Sequence, residues 1–200
     1  MLRLSDAGAA GDGLSVIASD SGLVSYAFLA PTAKLTIDAG AGDDSIAYQS
    51  MDAALLGRVV VQGGAGTDAV VGPPVDSVWN VTGLNEGEVG GLAFIAVENL
   101  RGAADNEDTF VVHGHAAISG VMDGGPGGFD SLVLEGGSFD AVTYIATGPT
   151  SGTITRDGVT LTYDGLEPIT DNMAIANRVI DLSNVSSDTA TLTQSGSHYT

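Results

Sequence analysis

Leu35-Thr-Ile-Asp-Ala-Gly-Ala-Gly-Asp-Asp-Ser-Ile-Ala47 aligns without a gap on Val59-Val-Val-Gln-Gly-Gly-Ala-Gly-Thr-Asp-Ala-Val-Val71, so that Leu35 falls on Val59 and Asp44 on Asp68. Each copy is a short β-branched run, a glycine-rich turn that closes on an aspartate, and a second apolar run. Self-similarity at such an interval is the signature of architectures that stack one supersecondary unit on the next, because a unit this small cannot bury its own apolar face. Two more copies carry one extra residue in the turn: Leu100-Arg-Gly-Ala-Ala-Asp-Asn-Glu-Asp-Thr-Phe110 and Met122-Asp-Gly-Gly-Pro-Gly-Gly-Phe-Asp-Ser-Leu132, which place Asp108 opposite Asp130. A shorter copy, Gly8 to Leu14, opens the series at Asp12. A second pattern relates Phe94-Ile-Ala-Val-Glu-Asn-Leu100 to Tyr163-Asp-Gly-Leu-Glu-Pro-Ile169, so that Glu98 and Glu167 lie three such intervals apart. The wider gap from Asp68 to Asp108 marks insertions.

Working outward, runs with strand composition and length recur between turn formers at 35–37, 59–61, 79–82, 92–97, 109–112, 132–134, 153–155 and 159–163. Only Met51 to Leu56 offers a hint of helical period. The expected fold is all-β, a parallel β-helix or β-roll-like solenoid, with an antiparallel β-sandwich as the competitor that also uses many short strands and glycine turns. At one coil per interval the chain makes about eight or nine coils at ~4.8 Å each. The expected organisation is 1–34 as irregular first coils, 35–170 as the repeat solenoid with its Gly-Asp turns, and 171–200 as further strand-and-turn coils continuing into a longer array, since no polar capping element is evident at either end.

Twenty-five acidic against six basic side chains give a net charge of −19, which argues against nucleic-acid partners and against anionic membranes. Charged residues are only 16% of the chain and hydrophobic ones 44%, enough apolar material for a core. The absence of cysteine removes disulfides, thiol catalysis and thiolate metal sites. No stretch is long enough for a membrane span, and no cleavable leader is visible before Asp6.

The turn Gly63-Gly-Ala-Gly-Thr-Asp-Ala-Val70 fits the nonapeptide G-G-x-G-x-D-x-U-x at every fixed position, and Ala39 to Ile46 fits with one glycine replaced by alanine. Calcium takes six to eight hard oxygens; glycine lets such a turn aim carbonyls inward, the aspartate adds charge, and the apolar residue two places on anchors the loop in the core. If turns one coil apart stack on one corner, 39–44 meets 63–68 and 102–108 meets 124–130. The candidate metal ligands are then Asp44 and Asp68 with carbonyls of Gly40, Gly42, Gly64 and Gly66, and Asp108 with Asp130 at the longer turns. A Gly-Asp turn also stands without metal, since glycine supplies positive φ and aspartate bonds its own backbone.

These turns resemble the RTX-type calcium-binding repeats, and the long bacterial surface proteins in which such turns are scattered among β-helical coils. The resemblance covers roughly residues 35 to 170 and includes Val97-Glu98-Asn99-Leu100 and Gly165-Leu166-Glu167-Pro168-Ile169. It implies calcium between stacked turns, and secretion, often by an uncleaved C-terminal signal. The nonapeptides are never in tandem here, which speaks against a regular β-roll.

Other signals are weaker. His113 and His115, two apart on a strand, share a face and read as imidazoles in solvent, since no third ligand is near in sequence. Pairs such as Asp43 with Asp44, or Glu135 with Asp140, suit acid-base work on a glycan but arise readily in so acidic a chain. The sequence is therefore read as a non-enzymatic, extracellular or cell-surface segment, structural or adhesive. Calcium and neighbouring repeats of the same longer chain are its partners, with surface glycans or cells as further ones and no membrane insertion. A carbohydrate-active enzyme on a β-helix and an acidic halophilic domain without specific calcium sites are the alternatives.

Overall fold

A computed structural model describes residues 1–22, 24–184, 191, 194–195 and 198–199. Its strands are β1 (Leu2–Asp6), β2 (Leu14–Ser19), β3 (Ser25–Leu29), β4 (Leu35–Asp38), β5 (Ser45–Tyr48), β6 (Val59–Gln62), β7 (Ala69–Val71), β8 (Val78–Gly83), β9 (Glu86–Val89), β10 (Leu92–Ile95), β11 (Asn99–Arg101), β12 (Thr109–His113), β13 (Val121–Asp123), β14 (Ser131–Ala146), β15 (Gly152–Arg156), β16 (Val159–Asp164) and β17 (Ile169–Asp181), followed by the short pair β18 (Gln194–Ser195) and β19 (His198–Tyr199). The described residues contain no α-helix. Met51 to Leu56, the helical hint, holds a single 3-10 turn, Ala53–Leu55, whose first free N–H, on Ala54, is capped by Asp52.

Parallel pairing dominates, in three ladders. The longest runs β1, β5, β7, β11, β13, β16. The second is β4, β6, β10 and the third β8, β12, β14, β17. Antiparallel strands join them: β9 links β8 to β10, β15 links β14 to β16, and β2 and β3 extend the sheet beyond β1. Apart from β18 and β19, all strands thus belong to one large mixed sheet, which is not closed into a barrel.

Alternation explains which residues form strands and where they point. In β12, Phe110 and Val112 are buried while Thr109, Val111 and His113 stand on the other face, the period-2 pattern of a half-buried strand. Parallel register then lines equivalent residues up. Ile46, Val70, Leu100, Met122 and Tyr163 occupy one column of the long ladder, all buried. Where the second and third ladders meet, Trp79 stacks on Phe110 with centroids 5.2 Å apart and leans on Phe94 at 6.3 Å. Each such fully buried side chain contributes on the order of 1.5–3 kcal/mol.

The constant interval expected from the repeats is not kept. The first two layers hold the register of the gapless alignment, Leu35 opposite Val59. Later partners are Val59 with Leu92, Ala69 with Asn99, Val78 with Thr109, Thr109 with Ser131, and Val121 with Thr162. The hairpins around β9 and β15 consume the extra chain, so the longest ladder has six strands rather than eight or nine levels. Gly8 to Leu14, read as a first copy, is the link of the antiparallel pair β1–β2 instead. Most of 185–200, expected to continue as strand and turn, lies outside the described residues.

Candidate functional site

The glycine-aspartate turns connect one ladder to another, and they fall on two corners. The first corner leads from the second ladder into the long one and holds turns 39–44 and 63–68, topped by Ala96 to Glu98. The second leads from the long ladder into the third and holds 72–77, 102–108, 124–130 and 165–168. Asp44 and Asp68 thus stack on each other, as do Asp108 and Asp130, while the two pairs sit apart. Glu98 and Glu167 occupy the upper tier of different corners, so their separation along the chain counts no coils.

On the first corner Ala41 bridges to Ala65, with Ala65 N–H donating to Gly40 O at 3.0 Å and Gly42 N–H to Ala65 O at 2.8 Å. The side chains complete this contact reciprocally. Asp44 N–H donates to Asp68 Oδ1 at 2.8 Å, and Thr67 N–H donates to Asp43 Oδ1 at 2.8 Å. The next tier repeats the first of these bonds, Asp68 N–H donating to Glu98 Oε2 at 2.9 Å. On the second corner Ser77 N–H donates to Asp108 Oδ1 at 3.0 Å, Glu107 N–H to Asp76 Oδ1 at 2.9 Å, and Asp108 N–H to Asp130 Oδ1 at 2.7 Å. Asp43, Asp68, Asp76, Glu98, Asp108 and Asp130 are therefore clasps, each satisfying a backbone donor of the neighbouring layer that the strand ladders leave unmet, whereas the Asp44 side chain makes no such bond.

Close layer stacking and clasping together dictate the glycines: a Cβ would lie 2.0 Å from Ala96 O at Gly63, 2.0 Å from Gly124 O at Gly102 and 2.5 Å from Gly165 O at Gly124. Asp68, Asp108 and Asp130 fold back over the first glycine of their own turns, and a Cβ there would lie 2.7 Å from Asp68 Oδ2 at Gly63, 2.5 Å from Asp108 Oδ2 at Gly102 and 2.6 Å from Asp130 Oδ2 at Gly124. In the first copy, where Ala39 replaces that glycine, Asp44 is only partly buried. Gly64 and Gly66 answer a different demand: both have positive φ, and a Cβ on them would meet Gly40 O at 2.0 Å and Gly42 O at 2.1 Å. The apolar residue two places after each aspartate, Ile46, Val70, Phe110 and Leu132, is buried as the anchor role requires.

Electrostatically the corners are tight. Asp68, Asp108 and Asp130 are at most 4% exposed, and Oδ2 of Asp44, Asp68 and Asp108 is buried without a hydrogen-bond partner. Burial raises the Asp108 carboxyl above its ordinary range, with the Asp130 charge adding to the effect; burial likewise raises Asp130. The carboxylates suit a cation, since they supply charge and unengaged oxygens. Of the glycine carbonyls expected to join them, Gly40 O already accepts from Ala65 N–H at 3.0 Å.

A second acidic group, of which only Asp12 was singled out in the sequence, brings Asp6, Asp12 and Asp52 together with carboxylate oxygens within 4.8 Å of one another. Among the described residues it is the one group of three ligand-type side chains. Asp52, buried, accepts from Ala54, Gly11 and Gly13 N–H at 2.8, 2.9 and 3.0 Å, and these bonds hold its carboxyl below the ordinary range. The helix-cap pattern Asp52-Ala-Ala was the available signal; its long-range partners had none.

The remaining candidates disperse. β12 ends at His113, whose Nε2 bonds Asn80 Oδ1 at 3.0 Å, while His115 lies beyond Gly114 and packs on Phe139 with centroids 4.6 Å apart. Glu135 accepts from Asn172 Nδ2 at 3.1 Å. Tyr144 OH donates to Asp171, which also accepts from Arg178 at 2.6 Å; burial foremost, with the Asp171 carboxylate, raises the phenol above its ordinary range. No family model matches the chain, and no curated protein or solved structure matches it.

Proposed function

We propose that the chain is a structural or adhesive segment of a secreted or cell-surface repeat protein, built as a parallel β-helical solenoid whose Gly-Asp turns fasten successive coils. The observation that carries this reading is the reciprocal bonding of turn carboxylates across layers, in register with the parallel ladders. Such an arrangement spends its acidic residues on cohesion between layers. The resemblance of the turns to RTX repeats supports export.

Calcium belongs to this reading as the ligand of the buried Oδ2 atoms of Asp44 and Asp68, and of Asp108 beside Asp130, and it would relieve part of the −19 charge. A metal-free clasp is the second reading, favoured by the Oδ1 bonds to backbone N–H. Thermal melts in EDTA, with calcium titrated back and potassium as control, separate the two. A calcium-specific rise in Tm with calorimetric uptake supports the ion. Equal melts in EDTA and calcium leave the clasp alone, and a rise with either salt points to charge screening. Small-angle scattering tests the solenoid itself: a globular particle with no long axis overturns it.

A further inference from the structure

The second corner carries a group that the first lacks. Turn 102–108 is one residue longer than 63–68, and its insertion brings in Asn106, which is only 6% exposed. Asn106 Nδ2 donates to Val75 O at 3.1 Å. That bond fixes which end of the amide is which, because a carbonyl can only accept, and it leaves Oδ1 buried without a hydrogen-bond partner. At the corresponding place in 124–130 stand Gly127 and Gly128, which have no side-chain oxygen to offer.

Asn106 shares its surroundings with Asp108. Both side chains reach to the turn 72–77, the carboxylate through the Ser77 N–H and the amide through Val75 O. Burial raises the Asp108 carboxyl, and the Asn106 amide beside it offsets part of that rise. Asp108 Oδ2 is likewise buried and unpartnered. A Cβ on Gly102 would lie 2.5 Å from this oxygen and 2.0 Å from Gly124 O, so the carboxylate and a carbonyl of the next layer border one small space. The corner thus gathers a carboxylate, an amide and a carbonyl oxygen, all of them acceptors, and a single water cannot donate to all three. Its three turns also carry Asp76, Asp105, Glu107 and Asp130 and contain no lysine or arginine. Unmet acceptors in a negative field favour a cation, and a donor set made of oxygen alone, mixed in kind and irregular in spacing, favours calcium over magnesium or zinc.

We propose that the second corner binds a calcium ion through Asp108 Oδ2 and Asn106 Oδ1, with the Gly124 carbonyl of the next layer, so that the inserted residue rather than the nonapeptide makes the site. The inference rests on the calcium reading and deepens it, because it names the corner and a ligand that the repeat pattern does not contain.

Calorimetric titration of the full chain with calcium chloride tests this, on the parent and on Asn106→Ala and Asn106→Asp. Both substitutions lose the Nδ2 bond to Val75 O, but only aspartate keeps an oxygen at the site, so the difference between them separates the ligand from the fold. Alanine should weaken calcium binding about tenfold, and aspartate should bind at least as tightly as the parent. Equal affinity in all three chains, or an equal loss in both variants, overturns the inference. Uptake that keeps the parental affinity in both Asn106 variants and disappears in Asp44→Ala belongs to the first corner, which overturns the inference and leaves the calcium reading standing. A parent chain that takes up no calcium overturns both.

Discussion

Replacing Asp130 by alanine and by asparagine separates a clasp from a charge. Asp130 Oδ1 is the acceptor for the Asp108 N–H at 2.7 Å, a buried bond. Alanine leaves that donor unmet, at a cost of about 1–3 kcal/mol, and empties the space over Gly124 that the carboxylate fills. For a domain of this size about 1 kcal/mol moves Tm by roughly 2–4 °C, so Asp130→Ala should melt roughly 2–12 °C lower. Asparagine keeps an acceptor in the same place and removes a charge that the folded state disfavours, as the raised carboxyl shows. Its Tm in EDTA should stay at or above that of the parent. The pH dependence follows from the sign of the shift. A carboxyl raised in the folded state destabilises above that raised value, and the deficit fades as pH falls towards the ordinary 3.8. The advantage of Asp130→Asn at neutral pH should therefore shrink on acidification. Should asparagine prove as damaging as alanine, the corner needs the charge itself, and the clasp reasoning fails.

Gly124→Ala should be destabilising by about 1–3 kcal/mol, because its Cβ meets Gly165 O at 2.5 Å as well as Asp130 Oδ2 at 2.6 Å; urea unfolding checks it. Trp79→Phe should cost less than the ~3–5 kcal/mol of a large-to-alanine change, since the ring stays stacked on Phe110 and a buried indole N–H without a partner is removed. Circular-dichroism melts give the comparison. Asp52→Ala should lower Tm and speed amide exchange at Gly11, Gly13 and Ala54. Its depressed carboxyl adds stability that is present above the ordinary 3.8 and lost as pH falls through the depressed value, so the gap between parent and variant closes in acid.

The sequence was most legible where apolar residues alternate beside a turn former. All eight runs read as strands lie in or overlap strands of the structure, and the stacking of 39–44 on 63–68 followed from a gapless alignment. β7, β11 and β13 are three residues each, too short to show a period, and are extended only because a neighbouring layer pairs with them. β9, Glu-Gly-Glu-Val, has no strand composition; its Gly87 is required because a Cβ would lie 2.1 Å from Asn80 O. Glu98 and Glu167 look alike locally, and nothing in their surroundings says on which corner each stands. The acids Asp43 and Asp76 gained their roles the same way, through partners 24 and 31 positions off. Periodicity reports local geometry, whereas corner identity depends on how much chain each insertion absorbs.

The clasps also impose an order of events. Asp44, Asp68, Ser77 and Asp108 each offer an N–H whose acceptor is supplied by residues 22 to 31 positions later. A polypeptide leaving a ribosome thus always carries one unfinished tier at its newest end, and the tier is locked only when its successor has been synthesised and laid down.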